Sequence, residues 1–315
     1  MDFLIREFNP ELDMPERVRL FNHIKPEAPS TLLELQEWER LRPNSRIELR
    51  LVAERDGRVL GMCSMTRDTD FPEGQFLLRS MVYADVRRQG IGERLLNTAL
   101  EFAILEGASS IKTDARDDDA ANEQFALKRG FVTKHKFFTS VLDLGTFDQN
   151  RFADVIGHVL AQGIVLTDLE RWGDTTEHRW RWWDVFHATL NDAPGDPFDW
   201  TFEDMQSRML ESKFFAAAGV RLALENDQVI AYSTADENPE QNESYNYGTG
   251  VKREHRRLGL ALALKLESIA WARARGSKRM VTFNESQNLA MLQLNQKLGF
   301  VPQVGTLEMV KRLEG

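Results

Sequence analysis

The 315-residue chain has a single cysteine, Cys63. An intrachain disulfide and a metal site built on paired cysteines are therefore excluded. Its six histidines, at positions 23, 135, 158, 178, 187 and 255, nowhere show ligand spacing, and no metal is expected. No apolar run approaches the roughly 18 residues of a membrane span. The N-terminus, Asp2-Phe3-Leu4-Ile5-Arg6, alternates like a strand and lacks the basic start and long apolar stretch of a signal peptide. Excess positive charge is missing too: 40 Lys+Arg stand against 49 Asp+Glu, a formal net charge of −9. General nucleic-acid binding, which needs a basic face, is disfavoured. A cationic amine would suit such a chain. The expectation is a soluble cytoplasmic protein with no membrane and no nucleic-acid partner, and the oligomeric state stays open.

What is present is a repeat. Arg87-Arg88-Gln89-Gly90-Ile91-Gly92 returns as Arg256-Arg257-Leu258-Gly259-Leu260-Ala261, 169 positions later. Each copy follows an apolar, strand-like run, ending at Val82 or Val251, and opens an amphipathic helix. Gly130-Phe131 and Gly299-Phe300 end later helices at the same offset. A period this regular predicts two fused copies of one domain, 1–148 and 149–315. At 42% hydrophobic residues the chain has material for two cores.

The repeated motif has a direct physical reading. A helix start leaves about four backbone N–H groups without intrahelical partners, and the helix dipole adds partial positive charge there. Gly90 and Gly259 remove the side chain that would keep a phosphate from those groups. Gly92 and Ala261 keep the next point of approach shallow. Arg87 and Arg256 can add charge-assisted contacts. The result is a diphosphate cradle made mainly of backbone. One such motif commonly serves only a turn; two at matched spacing make that bland reading weak.

With these motifs each half resembles the GNAT superfamily of acetyl-CoA-dependent N-acyltransferases. Arg87, Gly90, Gly92, Gly130 and Phe131 match its signature in the first half, and Arg256, Gly259, Ala261, Asn288, Gly299 and Phe300 match it in the second. The second half is similar to the C-terminal halves of tandem, mycothiol-synthase-like members, over Thr249–Lys265 and Asn284–Asn295. The resemblance implies an α/β (α+β) fold of two tandem domains, each a mixed, mostly antiparallel sheet flanked by helices. It implies acetyl-CoA as co-substrate, with Val82, Arg87, Arg88, Gln89, Gly90, Ile91, Gly92, Val251, Arg256, Arg257, Leu258, Gly259, Leu260, Ala261 and Asn288 around it. The implied reaction is direct attack by the primary amine of a small molecule on the thioester, within a ternary complex.

The family's usual thiolate donor is a Tyr four residues before the helix-ending Gly. Ala126 and Asn295 occupy those positions here. Asn295 donates hydrogen bonds but no proton at neutral pH; Ala126 does neither. Asp119 stands where the second half has Asn288. The second half is therefore expected to do the chemistry, with Tyr247, Asn295 and Glu243 as candidates. Against Tyr247 and Glu243 stand ordinary readings, a strand tyrosine and an exposed loop carboxylate. Asp117-Asp118-Asp119 reads as helix capping before cation binding, and Trp180, Trp183 and His187 share a helix face that reads as core. The alternative to an enzyme is a non-catalytic acyl-CoA-binding or sensing protein, or one with a single working half.

Overall fold

The computed structural model describes residues 2–26, 29–41, 46–67, 71–194 and 199–313. In chain order the first half contains β1 (Leu4–Glu7), α1 (Pro10–Ile24), α2 (Leu32–Arg40), β2 (Ile47–Arg55), β3 (Arg58–Arg67), β4 (Gln75–Val82), α3 (Ile91–Leu105), β5 (Ser110–Arg116), α4 (Ala120–Leu127) and β6 (Val132–Asp143). The second half contains α5 (Ala153–Leu160), β7 (Val165–Asp168), the single turn α6 (Leu169–Trp172), α7 (Thr176–Asn191), the short α8 (Phe202–Met205), β8 (Val220–Glu225), β9 (Gln228–Asn238), β10 (Glu243–Val251), α9 (Leu260–Ala274), β11 (Arg279–Glu285), α10 (Leu289–Leu298) and β12 (Val301–Arg312). Among these helices, none is long and apolar enough to cross a membrane.

Local chemistry fixes several of these elements. Asp56-Gly57 and Asn226-Asp227 both adopt positive φ, the two-residue turn that matches the twist of flanking strands. Thr31 and Glu34 close a capping box on α2. Asp119 caps α4, accepting from Ala121 and Asn122 at 3.1 Å each, so the aspartate run serves as a helix start. Residues 214–219 lie before β8 and end in a tight turn at Ala217–Gly219. A Cβ on Gly219 would overlap the Ala235 carbonyl, so the chain can run there only without a side chain.

The compact units do not follow chain order. One comprises Met1–Lys136 with Val304–Gly315, the other Phe137–Gln303. The break expected at 148/149 therefore misplaces two strands. In the first unit the strand order is β1-β2-β3-β4-β5-β12; in the second it is β6-β11-β10-β9-β8-β7. β12 pairs antiparallel with β5, Arg312 opposite Ser110 and Thr306 opposite Arg116. β6 pairs with β11, Asp143 opposite Arg279 and Phe137 opposite Glu285. Every one of these partners is displaced by 169 from its equivalent in the other unit. The two closing strands have exchanged places without a change of register. Both sheets are mixed and mostly antiparallel, with one parallel pair each, β4/β5 and β10/β11.

In the first unit, α3 lies on the sheet with Ile91, Leu95, Leu96, Ala99 and Ala103 buried against Phe76, Leu78 and Ile111. In the second, Leu260, Ala263 and Leu264 of α9 pack with Val159, Ala223 and Ala231. A separate cluster gathers Trp182, Trp183 and Phe186 of α7 over Leu222 and Tyr232. Trp182 is fully buried, whereas Trp180 is 52% exposed. The aromatic run is core, as its helical spacing suggests, but the buried face is the one through Trp182 and Phe186. Trp183 and His187 still meet, their ring centroids 5.3 Å apart.

Candidate functional site

Both cradles have the same backbone. A short 3₁₀ turn, Ala84–Val86 or Arg253–His255, leads to Arg87 or Arg256. The next residue, Arg88 or Arg257, sits at φ 64° or 71°, and Gly90 or Gly259 caps the helix at φ 81° or 84°. Neither α3 nor α9 has a side-chain cap, so their first-turn N–H groups keep room for an anion. A Cβ on Gly90 would meet nothing within 4 Å, and one on Gly259 only Val159 at 3.8 Å. The cradle arginines are held in place. Arg87 Nε donates to the Val82 carbonyl at 3.3 Å, and Arg256 Nε to that of Val251 at 3.2 Å. Arg87 also pairs with Asp119 at 2.9 Å, and Arg256 with Asp192 at 2.7 Å. Hydrogen bonds from Arg253, and then Arg256, hold the Asp192 carboxyl down to about 2.

Other cradle residues have local roles. Arg55 donates to Gln89 Oε1 at 3.2 Å. Gln162 donates to the Leu258 carbonyl at 3.3 Å. Asn288 caps α10, accepting from Met291 at 3.3 Å.

Beside each cradle the sheet opens. β4 pairs with β5 only over Gln75–Leu78, and β10 with β11 only over Glu243–Asn246. Beyond these residues the parallel strands diverge, leaving Arg79–Val82 and Tyr247–Val251 with one backbone edge off the ladder. In β10 a bulge falls between Asn246 and Gly248. Tyr247 is the extra residue, with no counterpart in β4, which pairs with β3 without interruption.

What lies over the opening differs between the units. In the first, a cavity of about 290 Å³ reaches from the diverging ends of β4 and β5 to α1 and α2. Leu78–Met81 and Asp114–Arg116 line its sheet side; Arg17, Phe21, Leu35 and Trp38 line its helix side; Glu48 and Arg50 stand between. In the second unit α7 closes the corresponding space. Gly248 and Gly250 permit this approach: a Cβ on Gly250 would overlap Thr189 Oγ1 and lie 2.5 Å from the Tyr232 ring. The residues 169 positions earlier are Arg79 and Met81, both lining the cavity. Likewise Arg17 corresponds to Phe186, which packs into the aromatic cluster. The cavity residues carry no motif, and the sequence reading missed them. Their only signal was this substitution of two glycines by Arg79 and Met81 between otherwise matched strands.

The three catalytic candidates do not converge on a cavity. Glu243 is buried, ion-paired with Arg279 and accepting from Tyr245 at 3.2 Å. Asn295 is 2% exposed, and its Nδ2 donates to Asn284 at 2.6 Å. Tyr247 is 53% exposed and stacks on Tyr245. Cys63 lines the first unit's cavity, but burial pushes its thiol up to about 12 and keeps it protonated.

Behind β10 lies a buried polar network. Lys265 Nζ donates to Asn246 Oδ1 at 2.7 Å, Asn246 donates to Ser233 at 3.0 Å, and Ser268 donates to Ser233 at 3.0 Å. Burial lowers the Lys265 ammonium to about 7 and raises the Asp236 carboxyl to about 8.

A family model described as the acetyltransferase (GNAT) family matches residues 12–131 and again 171–300. The mycothiol acetyltransferase of Nocardia farcinica is 27% identical over 260 residues, covering 80% of this chain and 79% of that protein. That of Thermobispora bispora is 25% identical over 252 residues, 78% of each. Among solved structures, a GCN5-related N-acetyltransferase from Sphaerobacter thermophilus gives a TM-score of 0.75 at 16% identity, over 99% of this chain and 96% of that one. A tandem GNAT protein from the clavulanic acid biosynthesis pathway gives 0.74 at 17% identity, over 100% and 99%. At such identities the structural likeness concerns the fold alone. Matched by the family model in both halves, the chain belongs to the acetyltransferase (GNAT) family.

Proposed function

We propose that the protein is an acetyl-CoA-dependent N-acetyltransferase that acts on the primary amine of a small molecule, and that the chemistry takes place in the first unit. The observation that carries this reading is the cavity over the diverging ends of β4 and β5. Acetyl-CoA supplies an activated thioester. The N–H groups opening α3, with Arg87, would hold its diphosphate, and the free edge of Arg79–Val82 would align the pantetheine arm. An amine seated in the cavity then faces the strand gap. Holding both reactants in one geometry supplies much of the rate enhancement of such a reaction. Glu48 and Asp114 line the same cavity and would take the ammonium proton, directly or through water. With Ala126 at the usual tyrosine position, the thiolate would take its proton from water. At about 290 Å³ the cavity is at the small end of ligand sites, which run from about 300 to 1,000 Å³. It suits a small molecule better than a polypeptide.

The second cradle, under a closed α7, is assigned a structural or regulatory CoA site. One observation favours the opposite assignment: strand bulges often sit beside active sites, and the bulge residue here is Tyr247. A matched pair of substitutions separates the readings. Gly90→Glu and Gly259→Glu each put a carboxylate into a cradle. Each is expected to weaken CoA binding there at least tenfold, about 1.4 kcal/mol. Thermal melting controls for strain at these positive-φ positions. With thiol release as the readout, turnover is expected to collapse in Gly90→Glu and persist in Gly259→Glu. The reverse pattern, with loss also in Tyr247→Phe, moves the chemistry to the second unit. No thiol release with any amine leaves the binding or sensing reading.

A further inference from the structure

We infer that the acceptor carries a carboxylate as well as its amine: the first unit's cavity is built for an amino acid with an apolar side chain. This rests on the placement of the acceptor proposed above. Net charge alone pointed to a cationic amine, but the cavity has the opposite character. Five cations line it, Arg17, Lys25, Arg50, Arg79 and Arg116, against two carboxylates, Glu48 and Asp114. Neighbouring acids offset part of this excess without removing it. Glu39 pairs with Arg17 at 2.7 Å and lies 3.0 Å from Arg50, but Arg46 approaches the same acid. Asp118 pairs with Arg116 at 2.8 Å. Arg50 stands between two acids, its Nη1 3.0 Å from Glu39 and its Nε 3.0 Å from Glu48.

The rest of the wall is apolar: Phe8, Phe21, Leu35 and Trp38 face the same space. A guanidinium fork for the carboxylate and an aromatic wall for the side chain describe one ligand class. A di- or polyamine would bring further positive charge among five cations. The cations also act on the reacting amine. A like charge nearby disfavours the ammonium form, so the bound amine loses its proton more readily and attacks without a strongly tuned base. That lightens the proton transfer asked of Glu48 and Asp114.

The test is calorimetric binding of matched ligands to the full chain: phenylalanine and leucine, each against its decarboxylated amine. The acids are expected to bind at least tenfold more tightly. Arg79→Gln, at an exposed strand position, is expected to erase that preference while changing amine affinity less than twofold. Arg79→Lys keeps the charge and is expected to retain most of the preference. Amines binding as well as the acids, or equal loss of acid and amine in Arg79→Gln, would overturn the inference. Binding is read apart from turnover. Acids that bind but are never acetylated sink the transfer reading alone; amines acetylated with no preference for acids sink this one alone.

Discussion

The two units share a scaffold and invert its polarity. In the first, the layer between α3 and the sheet is apolar, and charge is gathered in the cavity over β4. In the second, the space over β10 is filled by Trp182, Trp183, Phe186 and Tyr232, and polar groups are buried behind the strand instead. Matched positions make the exchange explicit. Leu96 and Ala99 of α3 correspond to Lys265 and Ser268 of α9, and Leu78 and Cys63 to Asn246 and Ser233. Arg79 and Met81 correspond to Gly248 and Gly250. The chain carries two copies of one fold, and among the described residues the first has a cavity over its cradle strand where the second is filled by α7. The backbone of a cradle is thus independent of what lies over the strand beside it.

The largest expected effect comes from removing what fills the second unit. Trp182→Ala empties a fully buried indole site and should cost about 3–5 kcal/mol. Trp38→Ala, in the half-exposed wall of the first unit's cavity, should cost about 1 kcal/mol or less. Denaturant midpoints compare the two, and equal losses would break the contrast. Next is Gly250→Ala, whose methyl would collide with Thr189 and Tyr232 and should cost about 1–3 kcal/mol through overpacking. Met81→Ala, at the matched position of the first unit, enlarges a cavity that already exists; the gap between the two values measures how tightly α7 is seated.

The smallest effect is a slope with pH. Lys265 titrates near 7 when folded and near 10.4 when unfolded. Between those values the unfolded chain holds a proton that the folded chain lacks, so stability rises with pH. The gain from pH 8 to 9 is at most about 1.4 kcal/mol. Below 7 the folded form is protonated too, and the Lys265 contribution levels off. Asp236, raised to about 8, works the other way, and stability falls from about pH 4 to 8 as the unfolded carboxyl ionises and the buried one does not. Lys265→Leu, which restores the first unit's residue, should abolish the rise above pH 8 in urea melts taken at half-unit intervals. A variant that keeps the full slope would show that Lys265 is not its source.

How much of this could be read from the chain depends on range. The cradles were legible because strand, glycine and helix start are contiguous, and their two copies check each other. The Asp119 cap was legible for the same reason. The partners of the catalytic candidates were not. Glu243 looks like a free loop acid until Arg279, on the neighbouring parallel strand, is brought beside it. Trp180 and Trp182 are two positions apart, and only the tilt of α7 on its sheet decides which is buried. The cavity depends on how near a helix comes to a strand, a distance that periodicity does not encode. The strand exchange was hidden most deeply, since β6 and β12 have the same length and the same register with either partner.

That exchange has a consequence for how the molecule is made. β5 leaves the ribosome long before β12 exists, while β6, an equivalent partner, follows it within twenty residues. Local pairing of β5 with β6 is favoured early, because a short loop closes at lower entropic cost than one of about 190 residues. The native arrangement becomes available only after Arg312 has been synthesised. The nascent chain must either leave the exposed edge of β5 unpaired, with the hazard of intermolecular pairing that an open edge carries, or form the local hairpin and later surrender β6 to β11. The units therefore cannot mature one after the other as independent beads. The first to be translated waits for its own closing strand, β12, which follows the whole of the second in the chain.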